Sequence, residues 1–325
     1  MKRLLRFALG AWIPLLMPVS AAIAQTDPQA VAWLQRIQAA TQRLSYAGTF
    51  VHQHGDQMQT SAVTRHVNAS GRQERLESLS GPLREVIRAG EQVTCYLPES
   101  RTVRIERQVA DRSFPAILPG QIKDLTESYQ IRKAETERVA GHDCQVIVLT
   151  PKDRTRYGHK LWADVSTGML LKARTFDERG IAIETFEFTQ LQIGGIDPGR
   201  VKSRYSPKAR DWRVEDSLAQ DANLLEAGWV IKSSLPGFRK IGEMRRNLGG
   251  TQGVGHIVLS DGLAAVSVFI EPWTSRPDAV NGIARQGATN AYSRRLGDHR
   301  ITVVGDAPAD SVKYLANAIE YRKPQ

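Results

Sequence analysis

The sequence predicts a mainly β protein in two parts, a large antiparallel sheet that curls on itself and a smaller α+β domain. Residues 46–97 divide into segments of seven to ten residues that end at turn signals and lack helical periodicity. A second β-rich stretch that ends in an amphipathic helix occupies residues 226–325. The 325 residues, 41% apolar and 24% charged, are enough to bury two cores.

The first 24 residues predict a secretory signal peptide. A basic start with Lys2, Arg3 and Arg6 precedes an apolar stretch, and residues 22–24 form a small-residue cleavage signal after which Ala24 would be the last residue removed. A transmembrane anchor is the alternative, but the apolar run falls short of about 18 residues. We therefore expect a soluble mature protein outside the cytoplasm.

The net charge indicates the kind of partner. The formal charge of +10 falls by three when the signal peptide is removed, so the mature chain stays basic. An exported basic protein has little access to nucleic acid, which leaves acidic lipid head groups or an acidic polypeptide as partners. Scattered, solvated Lys and Arg residues are the alternative.

A helix and a meander open the mature chain. Asp27 is a suitable N-cap before Pro28, and apolar residues then recur every three or four positions up to residue 44. The meander has turns at 53–56, 68–71, 80–82 and 89–91. Short turns join antiparallel neighbours, so sequential hairpins are expected. A further strand is predicted over 101–108.

Residues 109–130 interrupt the strand pattern. The apolar stretch 114–120 contains Pro115 and Pro119, which exclude a central strand, and 121–129 has short-helix character. We predict a lid inserted into the sheet, with a loop packed on the core as the alternative. Strands then resume, for a total of about eleven, over 130–139, 144–150, 157–164, 169–177 and 181–193.

An antiparallel sheet of about eleven strands tends to curl, and a helix across its concave side would enclose an apolar hollow. The side chains predicted to line it and to bind lipid are Phe50, Phe114, Ile117, Leu118, Trp162, Leu171, Phe176, Phe186 and Phe188. Ordinary core packing is the alternative, because aromatic residues on strands are usually buried.

The remaining chain predicts a linker and a second domain. We place the first domain at 25–204, the linker at 205–225 and the second domain at 226–325. The strands expected there are 228–232, 256–259, 263–271, 288–295 and 301–305, followed by a helix over 308–321. The glycine-rich stretch 249–255 lacks the Lys-Ser/Thr and helix of a phosphate loop, so we expect a flexible loop.

Three groups of basic residues are candidate contacts for an anionic partner. Guanidinium and ammonium groups at such spacing could meet phosphates or the acidic side chains of a peptide. The candidates are Arg101 and Arg104, Arg154 and Arg156, and Arg239, Lys240, Arg245 and Arg246. A solvated surface is the alternative for each group.

The sequence contains no motif of a nucleophile elbow, a zinc protease or a dithiol redox site. We therefore predict no enzymatic activity and no cofactor. His52 and His54 alternate on one strand face, as a pair of metal ligands could, but no carboxylate or Cys completes the set at suitable spacing. No metal site is predicted.

Two cysteines, Cys95 and Cys144, lie in predicted strands. An oxidising compartment permits a disulfide if those strands are neighbours. If they are not, both residues are small buried apolar side chains.

Several short segments resemble the MucB/RseB family. Each is a weak signal, but their order and spacing together are specific and extend over the whole mature chain. The segments are LSYAGTF at 44–50, SGPLREV at 80–86, DRTRYG at 153–158, LWAD at 161–164, LPGF at 235–238, LSDGLA at 259–264 and VVGDAP at 303–308.

The resemblance implies more than the patterns do. Family members are periplasmic negative regulators of the envelope-stress sigma factor. The resemblance implies a LolA/LolB-like half-barrel, binding to the periplasmic domain of a MucA/RseA-like anti-sigma factor, and protection of that factor from site-1 proteolysis. It also implies release by lipopolysaccharide or mislocalised lipoprotein acyl chains, and a homodimer. The competing function is a LolA-like lipoprotein carrier, which would need only the first domain.

Overall fold

The structure is a computed structural model, and it describes residues 27–107, 122–217, 219–248, 250–273 and 282–323. The predicted signal peptide and the predicted lid residues Phe114, Ile117 and Leu118 lie outside the described residues. No helix in the described ranges has the length and apolar character needed to cross a membrane.

The mature chain opens with helix α1 (Pro28–Arg43). The Asp27 carboxylate accepts a hydrogen bond from the Gln29 N–H at 2.9 Å, and the proline ring fits the first turn. The buried stripe of this helix is made of Ala30, Leu34, Ile37 and Ala40. The predicted start and apolar face are both confirmed.

In the described ranges, twelve strands form the large sheet, with a short helix, α2 (Ile122–Ser128), before the seventh. The strands are β1 (Tyr46–His54), β2 (Gln57–Asn68), β3 (Gly71–Ser78), β4 (Glu85–Ala89), β5 (Gln92–Leu97), β6 (Thr102–Arg107), β7 (Tyr129–Val139), β8 (His142–Pro151), β9 (Gly158–Asp164), β10 (Leu170–Phe176), β11 (Ala182–Ile193) and β12 (Arg213–Ser217). The first eleven agree with the sequence prediction.

The strand order is β12-β6-β5-β4-β3-β2-β1-β11-β10-β9-β8-β7. Two meanders therefore meet where β1 pairs antiparallel with β11, and this pairing brings residues about 130 to 150 positions apart into register. The outermost strand, β12, pairs parallel with β6. It belongs to the segment that we predicted as a linker, so part of that segment is an edge strand.

The second domain contains a seven-stranded sheet in the order β13-β15-β16-β17-β20-β19-β18, the pair β14-β21 and helix α3. These elements are β13 (Gln220–Asp221), β14 (Trp229–Ile231), β15 (Arg239–Leu248), β16 (Thr251–Ser260), β17 (Ala265–Pro272), β18 (Gly282–Gln286), β19 (Thr289–Leu296), β20 (His299–Gly305), α3 (Ala309–Asn317) and β21 (Ile319–Tyr321). The fold class, a large sheet followed by a smaller α+β unit, is confirmed.

Two predictions for the second domain were wrong. The described part of the glycine-rich stretch, residues 250–255, is not a flexible loop, because β16 begins at Thr251 and Gly250 adopts a positive φ of 82° in the turn after β15. The C-terminal helix ends at Asn317, and the residues beyond it form β21 against β14.

Among the residues that the structure describes, the buried side chains form three apolar clusters. The helix-side cluster packs α1 and α2 on β7–β10. The aromatic cluster lies on the opposite face of those strands. The third cluster is the core of the second domain. The alternation on β9 shows the two faces directly, because Leu161 belongs to the helix-side cluster and Trp162 to the aromatic cluster.

Candidate functional site

The predicted lipid-binding residues of the strands come together in the aromatic cluster. Phe50, Trp162, Leu171, Phe186 and Phe188 are all buried there. The rings of Phe50 and Phe186 are 5.1 Å apart between centroids, and those of Phe186 and Phe188 are 5.2 Å apart. These side chains contact one another, so the cluster is a packed apolar face. The prediction that they line a hollow enclosed by a helix was wrong, because α1 and α2 pack on the opposite face of the strands.

Phe176 is separate from that cluster. It lies at the end of β10 and lines a cavity of about 1110 Å³. The cavity is bordered by β8, β9 and β10 of the large sheet and by residues of the β18–β19 hairpin and the start of α3. It therefore lies where the two domains meet, which we call the junction.

A buried ion pair connects the two domains at the junction. Arg156 Nη1 donates to Asp261 Oδ2 at 2.6 Å, and the two side chains are 1% and 0% exposed. Arg156 precedes β9 of the large sheet, whereas Asp261 follows β16 of the second domain. Because a buried charge without a partner is costly, each residue requires the other.

The turn between β16 and β17 explains why Asp261 has this position. Asp261 Oδ1 accepts hydrogen bonds from the N–H groups of Leu263 and Ala264 at 3.0 and 2.9 Å. These local bonds fix the carboxylate and leave Oδ2 for Arg156 and for the Tyr129 hydroxyl, which donates at 3.2 Å. Burial and the neighbouring Asp261 carboxylate raise the pKa of Tyr129 well above its ordinary value, so its hydroxyl remains a donor.

Arg156 is held from its own domain as well. Its guanidinium donates to both carboxylate oxygens of Asp153, with Nε to Oδ1 at 3.2 Å and Nη2 to Oδ2 at 3.1 Å, and also to the Pro236 carbonyl of the second domain. Burial acts to raise the pKa of Asp153, but the hydrogen bonds from Arg156 and Thr155 outweigh it and leave that pKa below its ordinary value.

Further contacts surround the ion pair. Asn290 Nδ2 of β19 donates to the Tyr157 hydroxyl at 2.8 Å, and Ser311 Oγ of α3 donates to the Thr155 carbonyl at 3.1 Å. Leu263 packs on the helix-side cluster of the large sheet. The junction therefore combines polar contacts with a small apolar contact.

The cavity beside these contacts is lined by charges of both signs, with an excess of basic residues. Its basic residues are Arg132, Arg154, Arg156, Lys160, Arg179 and Arg285, and its acidic residues are Asp153, Asp177, Glu178 and Asp310. A volume of about 1110 Å³ exceeds that of most small-molecule pockets, which reach roughly 1,000 Å³. Its size and charge suit part of an anionic chain.

The predicted basic contacts of the large sheet differ in their surroundings. Arg154 is exposed, whereas Arg156 is buried and engaged in the ion pair. Arg101 lies in the turn before β6, and Arg104 donates to Glu215 of β12 at 3.0 Å. Of these four residues, Arg154 and Arg156 line the cavity, and of those two only Arg154 is exposed.

The predicted basic contacts of the second domain all have partners within the chain. Two partners are carboxylates of the large sheet's domain, one is a carboxylate on the same strand, and one is a backbone carbonyl. The pairs are Arg239 with Asp124, Arg246 with Glu106, Lys240 with Glu243, and Arg245 with the carbonyl of Gly253. Two of the four therefore help to join the domains.

Of the two alternatives for the cysteines, the structure shows the one without a disulfide. Cys95 lies on β5 and Cys144 on β8, and both are free thiols. Seven strands separate β5 from β8 in the sheet, so the two residues are not on neighbouring strands. Burial, the larger effect, and the nearby Asp164 carboxylate raise the pKa of Cys144 to about 12, which makes this thiol unreactive at neutral pH.

Sequence reasoning did not find the Asp261 carboxylate, the Tyr129 hydroxyl or the Asn290 amide. The Asp261-Gly262 pair predicts a hairpin, which is correct, but a turn Asp usually faces solvent. The signal that was present is the location of Asp261 and Arg156 in two of the segments that resemble the MucB/RseB family.

Comparison with known proteins covers both domains. A model of the MucB/RseB N-terminal domain matches residues 29–210, and a model of the MucB/RseB C-terminal domain matches residues 223–320. The chain is 31% identical over 300 residues to the sigma factor AlgU regulatory protein MucB of Pseudomonas aeruginosa, which covers 88% of this chain and 89% of the relative. It is 26% identical over 309 residues to the sigma-E factor regulatory protein RseB of Salmonella typhimurium, which covers 93% and 94%.

Solved structures give the same result for the fold. The complex structure of Pseudomonas aeruginosa MucA/MucB superposes with a TM-score of 0.69 at 28% identity, and covers 90% of this chain and 99% of that chain. The crystal structure of MucB in complex with MucA(peri) superposes with a TM-score of 0.68 at 27% identity, with the same coverage. Both domain models and the relatives agree with the segments noted in the sequence, and the chain belongs to the MucB/RseB family.

Proposed function

We propose that this protein is a periplasmic negative regulator of an envelope-stress sigma factor that binds the periplasmic part of a MucA-like anti-sigma factor. The observation that carries the proposal is the similarity, along both domains, to a MucB structure that was solved with MucA(peri). A relative in Pseudomonas aeruginosa is named as a regulator of the sigma factor AlgU. The role is one of binding, and we propose that the protein is not an enzyme.

The proposed location follows from the sequence. The basic, apolar and small-residue regions of the first 24 residues predict export and cleavage after Ala24. In the periplasm the protein would meet the external part of a membrane-bound anti-sigma factor. Bound there, it would cover the segment that the site-1 protease cleaves.

The anti-sigma segment is proposed to bind at the junction. The cavity there is lined by both domains, and the first domain contributes exposed Arg154 and the second exposed Arg285 to that lining. Carboxylates on a peptide would form charge-assisted hydrogen bonds with these guanidinium groups. A peptide bound in this way would depend on how the domains face each other, which the Arg156–Asp261 pair fixes.

Lipid is the proposed release signal, as lipopolysaccharide or the acyl chains of a mislocalised lipoprotein. The aromatic cluster offers the apolar surface, and because its side chains contact one another, an acyl chain can enter only by separating them. Burial of acyl chain contributes about 0.8 kcal/mol per CH₂, so a few methylenes supply the ~1–3 kcal/mol typical of coupling between two sites. Coupling is reciprocal, so bound peptide must weaken lipid binding by the same factor.

Protease protection tests the proposed function. The mature chain should slow cleavage of a MucA-like periplasmic segment by the site-1 protease, and lipopolysaccharide should abolish the protection. The affinity for the segment, measured by fluorescence anisotropy, should fall by about 5-fold to 150-fold with saturating lipopolysaccharide. An unchanged affinity would reject the coupling, and an absence of binding would reject the proposed function.

A charge-reversal variant tests the proposed peptide site. Arg154→Glu with Arg285→Glu should weaken segment binding about tenfold or more, because like charges then face each other. Arg43→Glu with Arg210→Glu is the matched control, since both residues are exposed and neither lines the cavity. Equal affinities of the two variants for the segment would show that the peptide binds elsewhere than in the cavity. The proposed regulatory role would not be contradicted.

A further inference from the structure

The pairing of β1 with β11 places a carboxylate beside the two histidines that the sequence suggested as a pair of metal ligands. His52 and His54 lie two positions apart on β1, so they share one face of the sheet. In the register of the sheet, Glu184 of β11 is directly opposite His54. The carboxylate therefore comes from a residue about 130 positions away, which is too far along the chain for a ligand-spacing motif to identify.

The three side chains converge to within the dimensions of a metal site. His52 Nε2 lies 2.8 Å from Glu184 Oε1, and His54 Nδ1 lies 3.4 Å from the same oxygen. The three potential ligand atoms all lie within 4.8 Å of one another. In tetrahedral coordination, ligand atoms about 2.1 Å from a zinc ion are about 3.4 Å apart, so the set needs only small side-chain rotations.

We propose that His52, His54 and Glu184 bind a divalent transition metal ion of the zinc type. Two imidazoles and one carboxylate are borderline and hard donors that suit Zn²⁺, whereas Mg²⁺ and Ca²⁺ prefer sites made wholly of oxygen atoms. Three protein ligands leave a fourth position open to water or to a partner's donor group. The side chains are 37%, 19% and 25% exposed, so an ion can reach them from solvent.

The site also belongs to the contact between the two domains. Gly287, in the turn between β18 and β19, packs so closely on His54 that a Cβ there would lie 2.9 Å from the imidazole ring. Its backbone has a positive φ of 51°, which favours glycine as well. Next to it, Gln286 Nε2 donates to Gln57 Oε1 at 2.8 Å. A metal ion on His54 would therefore stiffen the surface on which the second domain rests.

A simpler interpretation is an ion pair in which Glu184 only accepts hydrogen bonds from the two imidazoles. His142 and Asp164 form such a pair at 3.2 Å, and no third ligand joins them in the part of the chain that the structure describes. That pair therefore supplies a matched control for metal binding.

Metal titration of the untagged mature chain tests the proposal. In competition with a fluorescent chelator, the chain should bind one equivalent of Zn²⁺, and a large excess of Mg²⁺ should not displace it. His52→Ala and Glu184→Gln should each weaken Zn²⁺ binding about tenfold or more, since even outer residues of metal sites cost that much. His142→Ala should bind Zn²⁺ as the parent chain does.

Thermal unfolding gives a second measurement that does not rely on the chelator. Zn²⁺ should raise the Tm of the parent chain and of His142→Ala, but not that of His52→Ala or Glu184→Gln, because a ligand stabilises only the folded state that binds it. Circular dichroism of each variant confirms that it is folded. Equal Zn²⁺ affinity in all four chains, or no affinity in the parent chain, would overturn the proposal and leave an ion pair.

Discussion

The aromatic cluster and the junction lie on the same sheet but are stabilised in different ways. The cluster is apolar, with Trp162 and Phe188 each 1% exposed, whereas the junction buries the charges of Arg156 and Asp261. Apolar packing has little directional preference, and it gains free energy in proportion to buried area. A buried ion pair gains little net free energy but requires one geometry. The cluster thus stabilises the first domain, and the junction sets how the second domain docks.

The largest expected effect on stability comes from a substitution that creates a cavity in the aromatic cluster. Phe188→Ala should lower the free energy of unfolding by about 3–5 kcal/mol, because Phe188 contacts Tyr46, Phe50 and Phe186 and their packing cannot fully collapse. Urea denaturation measures the loss. The control is Phe269→Ala, which removes a half-buried ring that stacks on His256 and should cost less. A loss below about 1 kcal/mol for Phe188→Ala would show that the cluster is loosely packed.

The ion pair should respond asymmetrically to loss of each partner. Arg156→Met leaves the fully buried Asp261 with one hydroxyl and two backbone donors, and it should cost about 3 kcal/mol. Asp261→Asn should cost about 1 kcal/mol less, because Arg156 keeps Asp153 as a partner.

Urea denaturation of the two variants and of Arg179→Ala measures this asymmetry. Arg179 pairs with Asp177 but is 71% exposed, so its loss should cost less than about 1 kcal/mol. If Arg156→Met lowers the free energy of unfolding no more than Arg179→Ala does, the junction does not depend on its buried charges. The proposed difference between the junction and the aromatic cluster would then be wrong.

The junction should also weaken in mild acid. Burial lowers the pKa of His159 on β9 to about 4, from an ordinary value near 6.5. Between about pH 6.5 and 4 the unfolded chain binds more protons at this residue than the folded chain does, so stability falls with falling pH. The loss at pH 5 relative to pH 7.5 should be about 2 kcal/mol.

Urea denaturation at both pH values measures the loss for the parent chain and for His159→Gln. The variant should lose much less of its stability, since its side chain does not titrate. His142→Gln replaces a half-buried histidine near Asp164 and should leave the slope of stability with pH close to that of the parent. Parallel slopes for the parent and His159→Gln would assign the acid sensitivity to other groups.

The smallest expected effect belongs to the rim of the junction. Arg239 pairs with Asp124 of α2 at 2.9 Å, but its side chain is 60% exposed. Arg239→Ala should therefore change the free energy of unfolding by less than about 1 kcal/mol, and added salt should remove the difference. A loss comparable with that of Arg156→Met would mean that exposed and buried ion pairs contribute equally to docking.

The sequence predicts the fold of the large sheet well because its signals are local. Turn residues and short apolar segments mark β1–β11, and the N-cap at Asp27 marks α1. The signals fail at β15, whose residues alternate weakly and of which only Met244 is buried. They fail again at β12, because its pairing with β6 depends on a distant strand.

The site is less accessible to sequence reasoning than the fold. Arg156 and Asp261 are 105 positions apart, and Glu184 joins His52 only through the register of β1 and β11. Residue type and spacing cannot reveal such partners. The predicted basic residues illustrate the limit, since the same pattern gives exposed Arg154 and buried Arg156 two positions later.

The edge strand β12 of the large sheet can lengthen the connection between the domains if it detaches. β12 consists of five residues that pair with β6 alone, immediately before the chain enters the second domain. Peeling those five residues away would lengthen the tether by up to about 17 Å. The second domain could then swing clear of the first without any break in the β1–β11 meanders. The length of this edge strand thus limits how far the second domain can move from the first.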